Sequence, residues 1–99
     1  MQRTVKRGIM HTITMPVIST CHITEATDRL LQDEGDRNPW TIVAPYSEGA
    51  FVYVQPENMD GQPAEFADIF AWARKHGHHW VRIDADGDVI EELPSYDWS

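Results

Sequence analysis

Cysteine, positive charge and long apolar runs are all scarce in this 99-residue chain. The single cysteine, Cys21, excludes an internal disulfide framework, and with it the usual plan of small secreted domains. Eight Lys and Arg residues stand against 16 Asp and Glu residues, so the formal net charge of −8 disfavours attachment to DNA, RNA or an anionic membrane. No apolar run approaches the roughly 18 residues that a membrane-crossing helix needs. We therefore expect a cytoplasmic protein.

The positive charge is concentrated at the start of the chain. Arg3, Lys6 and Arg7 lie within residues 1–8, which we expect to form a flexible basic tail because they are polar, unpatterned and terminal. Residues 9–99 are predicted to form a single domain, since their number suits one compact unit. That stretch holds 16 acids and 5 bases, so its formal charge of −11 is more negative than that of the whole chain.

Hydrophobic periodicity predicts a strand followed by a helix in the first third of the chain. Apolar residues alternate with polar ones over 9–18, and Pro16 places this strand at an edge or at a bulge, because proline cannot donate a ladder hydrogen bond. Apolar residues then recur at helical spacing over 24–34. Thr24 suits the N-cap of this helix, and Gly35 suits its stop.

A hairpin and a second helix are predicted next. The runs 40–44 and 50–54 are rich in β-branched and aromatic residues, and the PYSEG stretch between them predicts a hairpin with a loop of about four or five residues. Pro63 suits the first turn of a helix that ends at Gly77. The apolar face of that helix comprises Phe66, Ile69, Phe70 and Ala73.

The last part of the chain predicts a second hairpin, with 79–84 and 89–93 as its strands and Asp86-Gly87 as its turn. The predicted order of elements is then β-α-β-β-α-β-β. Antiparallel strands accompanied by two helices indicate the α+β class. We expect a single two-layer sandwich, with a mainly antiparallel sheet and both helices on one face.

Several separated sequence segments resemble those of one family. ISTCHITEAT, NPWTIVAPYSEGAFVYV and AWARKHGHHWVRIDADGD, followed by LPSYDW, occur in this order. As a set they resemble a family of short, functionally uncharacterised bacterial proteins carried by plasmids, integrative elements and phages. The resemblance covers about residues 16–98. It implies a mobile-element origin, and no catalytic residue is carried over from it.

The KHGHHW segment is a weak candidate for a metal site. Its residues His76, His78 and His79 are imidazoles, which are common transition-metal ligands. However, they flank the end of a predicted helix, where histidine is also favourable against the helix dipole. His78 and His79 point to opposite faces once the strand has begun. We therefore predict no metal and no cofactor.

The DADGD segment resembles a calcium-binding loop only in part. Asp84, Asp86 and Asp88 alternate as oxygen ligands do in an EF-hand. If Asp84 were the first loop position, the required Gly and bidentate Glu would fall on Val89 and Ser95. A solvated hairpin tip fits this segment better.

Cys21 and His22 are adjacent, which invites the idea of a thiolate nucleophile with a neighbouring base. Adjacent side chains rarely aim at one another, whereas a general base must lie within hydrogen-bond reach. The sequence also lacks the glycine-rich nucleotide motifs and the GxSxG hydrolase motif. We assign no catalytic residue.

Acidic and aromatic side chains near the end of the chain are the stronger indication of function. Exposed aromatic residues mark partner surfaces, although aromatic residues also shield the open face of a small sheet. Carboxylates on a rigid scaffold complement a basic partner. The predicted partner-binding residues are Asp84, Asp86, Asp88, Glu91, Glu92, Asp97, Trp80 and Trp98.

These features predict a small acidic, non-enzymatic binding protein of a mobile element. It would inhibit a host defence or nucleic-acid-processing complex by presenting a nucleic-acid-mimicking surface to a basic protein partner. Direct nucleic-acid binding and membrane binding are not expected. One alternative is a small enzyme or metal protein built on His22 with Cys21, or on the three histidines. Another is a homo-oligomeric module, such as a homodimer that pairs through an edge strand or an open sheet face.

Overall fold

The computed structural model describes residues 10–98, so the predicted tail at 1–8 lies outside the described residues. The described residues form a four-stranded sheet with two α-helices, which confirms the α+β class. In chain order the elements are β1 (Val17–Ser19), α1 (Glu25–Glu34), β2 (Val43–Tyr46), β3 (Gly49–Tyr53), α2 (Glu65–Lys75) and β4 (Trp80–Asp84). Short 3-10 turns at Thr20–His22 and Gly35–Arg37 lie on either side of α1.

The strands are arranged in the order β1-β4-β3-β2. The pairs β2–β3 and β3–β4 are antiparallel, as expected, whereas β1 runs parallel to β4. Strand β4 therefore lies inside the sheet with a neighbour on each side. Its Val81 and Ile83 are buried in a core that both helices share, which gives the expected two layers. The largest fully buried apolar side chains include Trp40, Phe66, Phe70, Ile18, Ile23 and Leu31.

Capping residues in the sequence correctly mark the start of α1 and the ends of both helices. The Thr24 hydroxyl accepts a hydrogen bond from Thr27 N–H at 3.2 Å, so Thr24 is the N-cap of α1. Gly35 has a φ of 52° after α1, and Gly77 has a φ of 77° after α2. Positive φ is easily reached only by glycine, so these two residues end the helices as predicted.

The first hairpin is tighter than predicted. Tyr46 pairs with Gly49, so the turn consists of Ser47 and Glu48 only, and the strands are Val43–Tyr46 and Gly49–Tyr53. Trp40 precedes the strand and packs in the core instead, with its ring 5.0 Å from that of Phe66. The predicted loop was therefore too long and the predicted first strand began too early.

The predicted strand at 9–18 is also much shorter in the structure. Residue 9 lies outside the described residues, and of 10–18 only Val17 and Ile18 belong to a strand, Val17–Ser19. Pro16 O still accepts a hydrogen bond from Arg82 N–H at 3.0 Å, whereas residues 10–14 are exposed. In the parallel register β4 begins opposite Met15, so residues 10–14 extend past the start of β4, and Pro16 has no N–H to donate to the sheet. The predicted edge position is confirmed, because β1 is the first strand of the sheet.

The predicted return strand at 89–93 does not form. Both sides of β4 are already paired, with β1 and with β3, so a hairpin partner has no place to add. The chain instead turns at residues 85–87 and crosses to the outer side of β1. There Asp88 N–H donates to Val17 O at 3.0 Å, and Ser19 N–H donates to Asp88 O at 2.8 Å.

The outer edge of β2 is closed as well. Tyr53 N–H donates to Ile42 O at 3.0 Å, so the antiparallel alternation turns the backbone nitrogens of Val43 and Pro45 outwards. Val43 N–H donates to Asp36 Oδ1 at 3.2 Å, and Pro45 has no N–H to offer. Since both edges are occupied or blocked, strand-to-strand pairing between copies of the chain is disfavoured.

The C-terminal segment is held on the first 3-10 turn by a buried histidine. Ile90 N–H donates to His22 Nε2 at 2.9 Å, so the proton of the neutral ring resides on Nδ1 and is donated to Pro94 O at 2.8 Å. Tyr96 N–H adds a third bond, to Cys21 O, at 2.7 Å. His22 thus joins residues about 70 positions apart in the chain.

A second polar contact joins the two helices. Glu65, at the start of α2, accepts hydrogen bonds at 2.9 Å from both the backbone N–H and the hydroxyl of Thr24. Desolvation raises the pKa of Glu65, but hydrogen bonds from Thr27 and Thr24 outweigh it and lower the pKa below its usual value. The carboxylate form therefore stabilises the packing of α2 against the N-terminus of α1.

We expect His22→Ala to lower the free energy of unfolding by roughly 3 kcal/mol, because Ile90 N–H and Pro94 O lose their partner at a buried site. Urea denaturation measures this change. His11→Ala is the matched control, since His11 is exposed and should change stability by less than about 0.5 kcal/mol. Equal stabilities of the two variants would show that the hydrogen bonds of His22 do not stabilise the fold.

Glu65 also predicts a pH dependence of stability. Its folded pKa lies below the unfolded value, so its contribution is complete above about pH 4.5 and is lost as the pH falls through the folded pKa. The stability difference between the wild type and Glu65→Gln should therefore be largest at pH 6 and shrink towards pH 3. Urea denaturation across that range tests it, with the exposed Glu57→Gln as control. A difference independent of pH would contradict this account.

Candidate functional site

One face of the sheet is not covered by either helix within the described residues. Strand residues alternate between faces, so the burial of Val81 and Ile83 against the helices places Trp80, Arg82 and Asp84 on the opposite face. The strand register extends this surface across the sheet. We call it the open face, and it comprises Val17, Ala44, Tyr46, Phe51, Tyr53, Trp80, Arg82 and Asp84.

Three side chains on the open face form a closed hydrogen-bonded triangle. Arg82 Nε donates to Tyr46 Oη at 2.7 Å, and Arg82 Nη2 donates to Asp84 Oδ2 at 3.3 Å. The Tyr46 hydroxyl donates to the same Asp84 oxygen. Asp86 N–H donates to the other oxygen, Asp84 Oδ1, at 2.7 Å. The carboxylate is therefore held from both sides.

The electrostatics of the triangle favour a fixed ion pair over acid–base chemistry. The hydrogen bond from Tyr46 is the first cause that holds the pKa of Asp84 below its usual value, and Asp86 N–H and Arg82 add to it. Burial raises the pKa of Tyr46, and the Asp84 charge raises it further. Tyr46 thus keeps its proton, and the arrangement is suited to positioning side chains for binding.

The aromatic rings give the open face a rigid, flat character. The Arg82 guanidinium carbon lies 5.1 Å from the Tyr46 ring centroid and 5.5 Å from that of Phe51, within the range of cation–π contact. At the other end of the face, Tyr53 and Trp80 meet edge to face with centroids 5.2 Å apart. Half-buried aromatic residues with a central arginine are typical of protein-binding surfaces.

An acidic pocket lies at the end of the sheet where β4 ends, between α1 and the turn of the first hairpin. It has a volume of about 270 Å³, and the residues that line it include Thr20, Asp28, Gln32, Ser47, Glu48 and Trp98. Gln32 Nε2 donates to the carbonyl oxygens of Tyr46 and Gly49 at 3.0 and 2.8 Å, which leaves its Oε1 as an acceptor. Desolvation, followed by repulsion from Glu25, raises the pKa of Asp28. Within the part of the chain that the structure describes, the lining offers oxygen acceptors and no Lys or Arg.

The fold and this surface can be placed beside known proteins. A family model described as the C-terminal domain of a family of unknown function, DUF5983, matches residues 15–98. The chain belongs to this family. The expectation of a family of unknown function is thereby confirmed. No curated protein matches the chain, and no solved structure matches it. Neither helix of residues 10–98 is long and apolar enough to cross a membrane.

The structure of this DUF5983 domain places half of the sequence-predicted binding residues on β4 or just beyond its end. Trp80 and Asp84 lie on the open face, although Asp84 is largely buried beneath its partners. Asp86 and Asp88 are exposed just beyond the end of β4. These four residues therefore lie along one strand and the turn that follows it.

The other predicted residues lie along the C-terminal segment. Glu91 and Asp97 are exposed. Glu92 lies against α2, where it forms an ion pair with Lys75 at 3.4 Å. Trp98 donates its indole N–H to a backbone carbonyl and forms a wall of the acidic pocket. The eight predicted residues thus follow the path of the chain and do not form one compact group.

The histidines of the KHGHHW segment contact different neighbours. The rings of His76 and His78 are stacked 6.4 Å apart beside Trp72, and His76 also lies 3.6 Å from Glu92. His79 is exposed and lines a second cavity together with His78. Among residues 10–98, no group of three or more His, Cys, Asp or Glu side chains is placed to hold a metal ion.

Cys21 and His22 do not form a catalytic pair. Both ring nitrogens of His22 are engaged with the backbone of Ile90 and Pro94. The Cys21 thiol has Ser95 Oγ as its hydrogen-bond partner, at 3.8 Å. The imidazole is therefore a structural group and not a base for the thiol.

Sequence reasoning missed most of the open face and the acidic pocket. Strand alternation did place Trp80 and Arg82 on one side of the last predicted strand, which was a usable signal. The partners of Arg82 come from the first hairpin, 31 and 36 residues earlier, and no local pattern links them to it. The missed residues are Tyr46, Phe51, Tyr53, Arg82, Asp28 and Glu48.

We expect Tyr46→Phe to raise the pKa of Asp84 towards the usual carboxyl value, because it removes the hydroxyl that contributes most to lowering it. NMR titration of the Asp84 carboxyl carbon measures this shift. Tyr53→Phe is the matched control, because Tyr53 lies at the other end of the open face beside Trp80. Equal shifts in the two variants would contradict the assigned role of Tyr46.

Proposed function

We propose that this protein is a non-enzymatic binding module whose partner is a protein with a basic surface. The observation that carries the proposal is the imbalance of charge. The chain has 16 acids, and only five of its bases lie within the described residues. An excess of this size on a small domain attracts basic partners and repels nucleic acid over a Debye length, which is about 10 Å at moderate salt.

The five bases of the described residues reduce this excess only in part, and all five are already paired or hydrogen-bonded within the chain. Three form ion pairs: Arg29 with Glu25, Lys75 with Glu92 and Arg82 with Asp84. The other two donate to backbone carbonyls: Arg37 to Glu34 and Asp33, and Arg74 to Gln55. Among residues 10–98, most of the carboxylates therefore have no cationic partner, including Asp28 and Glu48 in the acidic pocket.

The geometry supports one binding mode. The open face supplies aromatic contact area, and the acidic pocket lies at the same end of the sheet as the Arg82, Tyr46 and Asp84 triangle. A lysine or arginine side chain of the partner would enter the pocket, meet Asp28 and Glu48, and contact Trp98 as its aromatic wall. The partner's apolar surface would then cover Phe51 and Tyr53 on the open face.

We extend the proposal to the class of partner. A surface that binds nucleic acid carries lysine and arginine spaced for phosphates, so carboxylates on a rigid scaffold can occupy it in place of phosphates. With the mobile-element origin that the sequence resemblance implies, the partner would be a host defence or nucleic-acid-processing complex, and binding would inhibit it. A cytoplasmic location is part of this proposal.

The alternatives have less support. A homodimer through the sheet edges is disfavoured because both edges are closed, which leaves the open face as its route. A role in catalysis or metal binding gains no support from His22, whose ring nitrogens are engaged with backbone groups. Sedimentation at high protein concentration separates a homodimer from the proposed monomeric binder.

The proposal predicts that immobilised protein retains nucleic-acid-binding proteins from a bacterial lysate at about 50 mM salt and releases them at about 300 mM salt, because screening weakens the attraction. Added double-stranded DNA should displace the same proteins. Mass spectrometry identifies what is retained, and purified candidates are then tested for direct, DNA-competitive binding. The triple variant Asp28→Asn, Glu48→Gln, Asp86→Asn should lose this retention.

The matched control is Asp33→Asn, Glu57→Gln, Asp60→Asn, which removes the same charge from exposed positions outside both the acidic pocket and the turn at residues 85–87 that contains Asp86. This control should retain the partners. Equal loss in the two triple variants would reduce the effect to net charge alone. Retention that neither salt nor DNA alters would overturn the proposal, as would a lack of retention at low salt.

A further inference from the structure

A second cavity lies at the opposite end of the sheet from the acidic pocket. It has a volume of about 340 Å³ and lies between the end of β3 and the end of α2. The side chains that matter for its chemistry are Tyr53, Val54, Pro56, Arg74, His78 and His79. A volume of this size is at the lower end of the range for small-molecule sites.

Backbone hydrogen bonds hold the walls of this cavity in place. Val54 N–H donates to His79 O at 2.9 Å, and His78 N–H donates to Ala73 O at 2.8 Å. These bonds join the end of β3 to the segment that links α2 and β4. The cavity is therefore bounded by well-connected backbone on two sides.

The lining of this cavity has basic side chains and no acidic ones, whereas the molecule as a whole is negatively charged. A guanidinium and two imidazoles line it, and no carboxylate does, although the chain carries 16 acids. Arg74 Nη1 donates to Gln55 O at 2.8 Å, which positions the guanidinium at the rim and leaves further N–H donors for a ligand. Val54, Pro56 and the Tyr53 ring supply apolar surface beside these donors.

We propose that this cavity is a binding site for a small carboxylate with an apolar body. Guanidinium donors match the planar geometry of a carboxylate, and the apolar wall accommodates the rest of the ligand. A monoanion is favoured over a phosphate dianion. The cost of desolvating the ligand rises with the square of its charge, whereas its attraction to Arg74, the one permanent cation of the lining among residues 10–98, rises only in proportion to that charge.

The site does not depend on the proposed function. The cavity lies at the other end of the sheet from Asp28 and Glu48, so variants of the acidic pocket should leave carboxylate binding intact. Equally, the site would stand if no basic protein partner were found.

The test uses defined probes and amide NMR titration of the full chain. Benzoate should shift the backbone signals of Val54, Gly77, His78 and His79, with saturation in the millimolar range. Benzamide, which has the same shape without the charge, should bind at least fivefold more weakly. Phenyl phosphate should also bind more weakly than benzoate. N-acetylphenylalanine tests whether a peptide C-terminus is the preferred source, in which case it should bind more tightly than benzoate.

Variants of neighbouring cations complete the test. Arg74→Gln should weaken benzoate binding at least fivefold, and Arg74→Lys should restore part of it. Lys75→Gln is the matched control, because it removes the same charge one residue away and Lys75 does not line the cavity. Equal weakening by Arg74→Gln and Lys75→Gln would overturn the proposal. So would equal binding of benzoate and benzamide, tighter binding of phenyl phosphate, or shifts that are not confined to the cavity.

Discussion

The interior position of β4 is the constraint on which the rest of the structure depends. A strand with a neighbour on each side has a fixed rotation about its axis, because both rows of backbone hydrogen bonds are used. Its alternate residues must then point to opposite faces. Val81 and Ile83 enter the core beneath the helices, and Arg82 is placed on the open face within reach of Tyr46 and Phe51. The core and the candidate binding surface thus arise from the same five-residue strand.

The same constraint explains the path of the last residues. Because β4 has no free side, the chain after the turn is directed to the outer edge of β1. This passage requires glycine at position 87, since a Cβ there would lie 2.4 Å from the backbone of Ile18. The segment then crosses the first 3-10 turn, where His22 supplies its buried polar partners. A buried imidazole with both nitrogens satisfied avoids the cost of an unpaired polar group.

Long-range polar contacts and local apolar patterns play different roles in this domain. Apolar burial supplies most of the stability, at about 2 kcal/mol for a fully buried side chain such as Phe66 or Phe70. Burial is non-directional, however, and does not choose between similar arrangements of strands and turns. The contacts of Glu65 with Thr24, and of His22 with Pro94, are directional and select one arrangement. Charge is distributed by the same fold, with an acidic pocket at one end of the sheet and a cavity lined by Arg74 at the other.

The sequence by itself determined the features that depend on neighbouring residues. Thr24, Gly35 and Gly77 marked the helix ends, since capping and positive φ are local properties. Alternation placed Trp80 and Arg82 together, and composition alone set the excess of acids. Only the tertiary structure decided which strands are neighbours. It therefore decided that most of the described part of the predicted strand at 9–18, and all of the predicted strand at 89–93, do not form. Backbone hydrogen bonding in a sheet joins residues that are distant in the chain, and period-two patterns carry no information about the partner. The open face and both cavities depend on such pairings, so they became visible only in the folded chain.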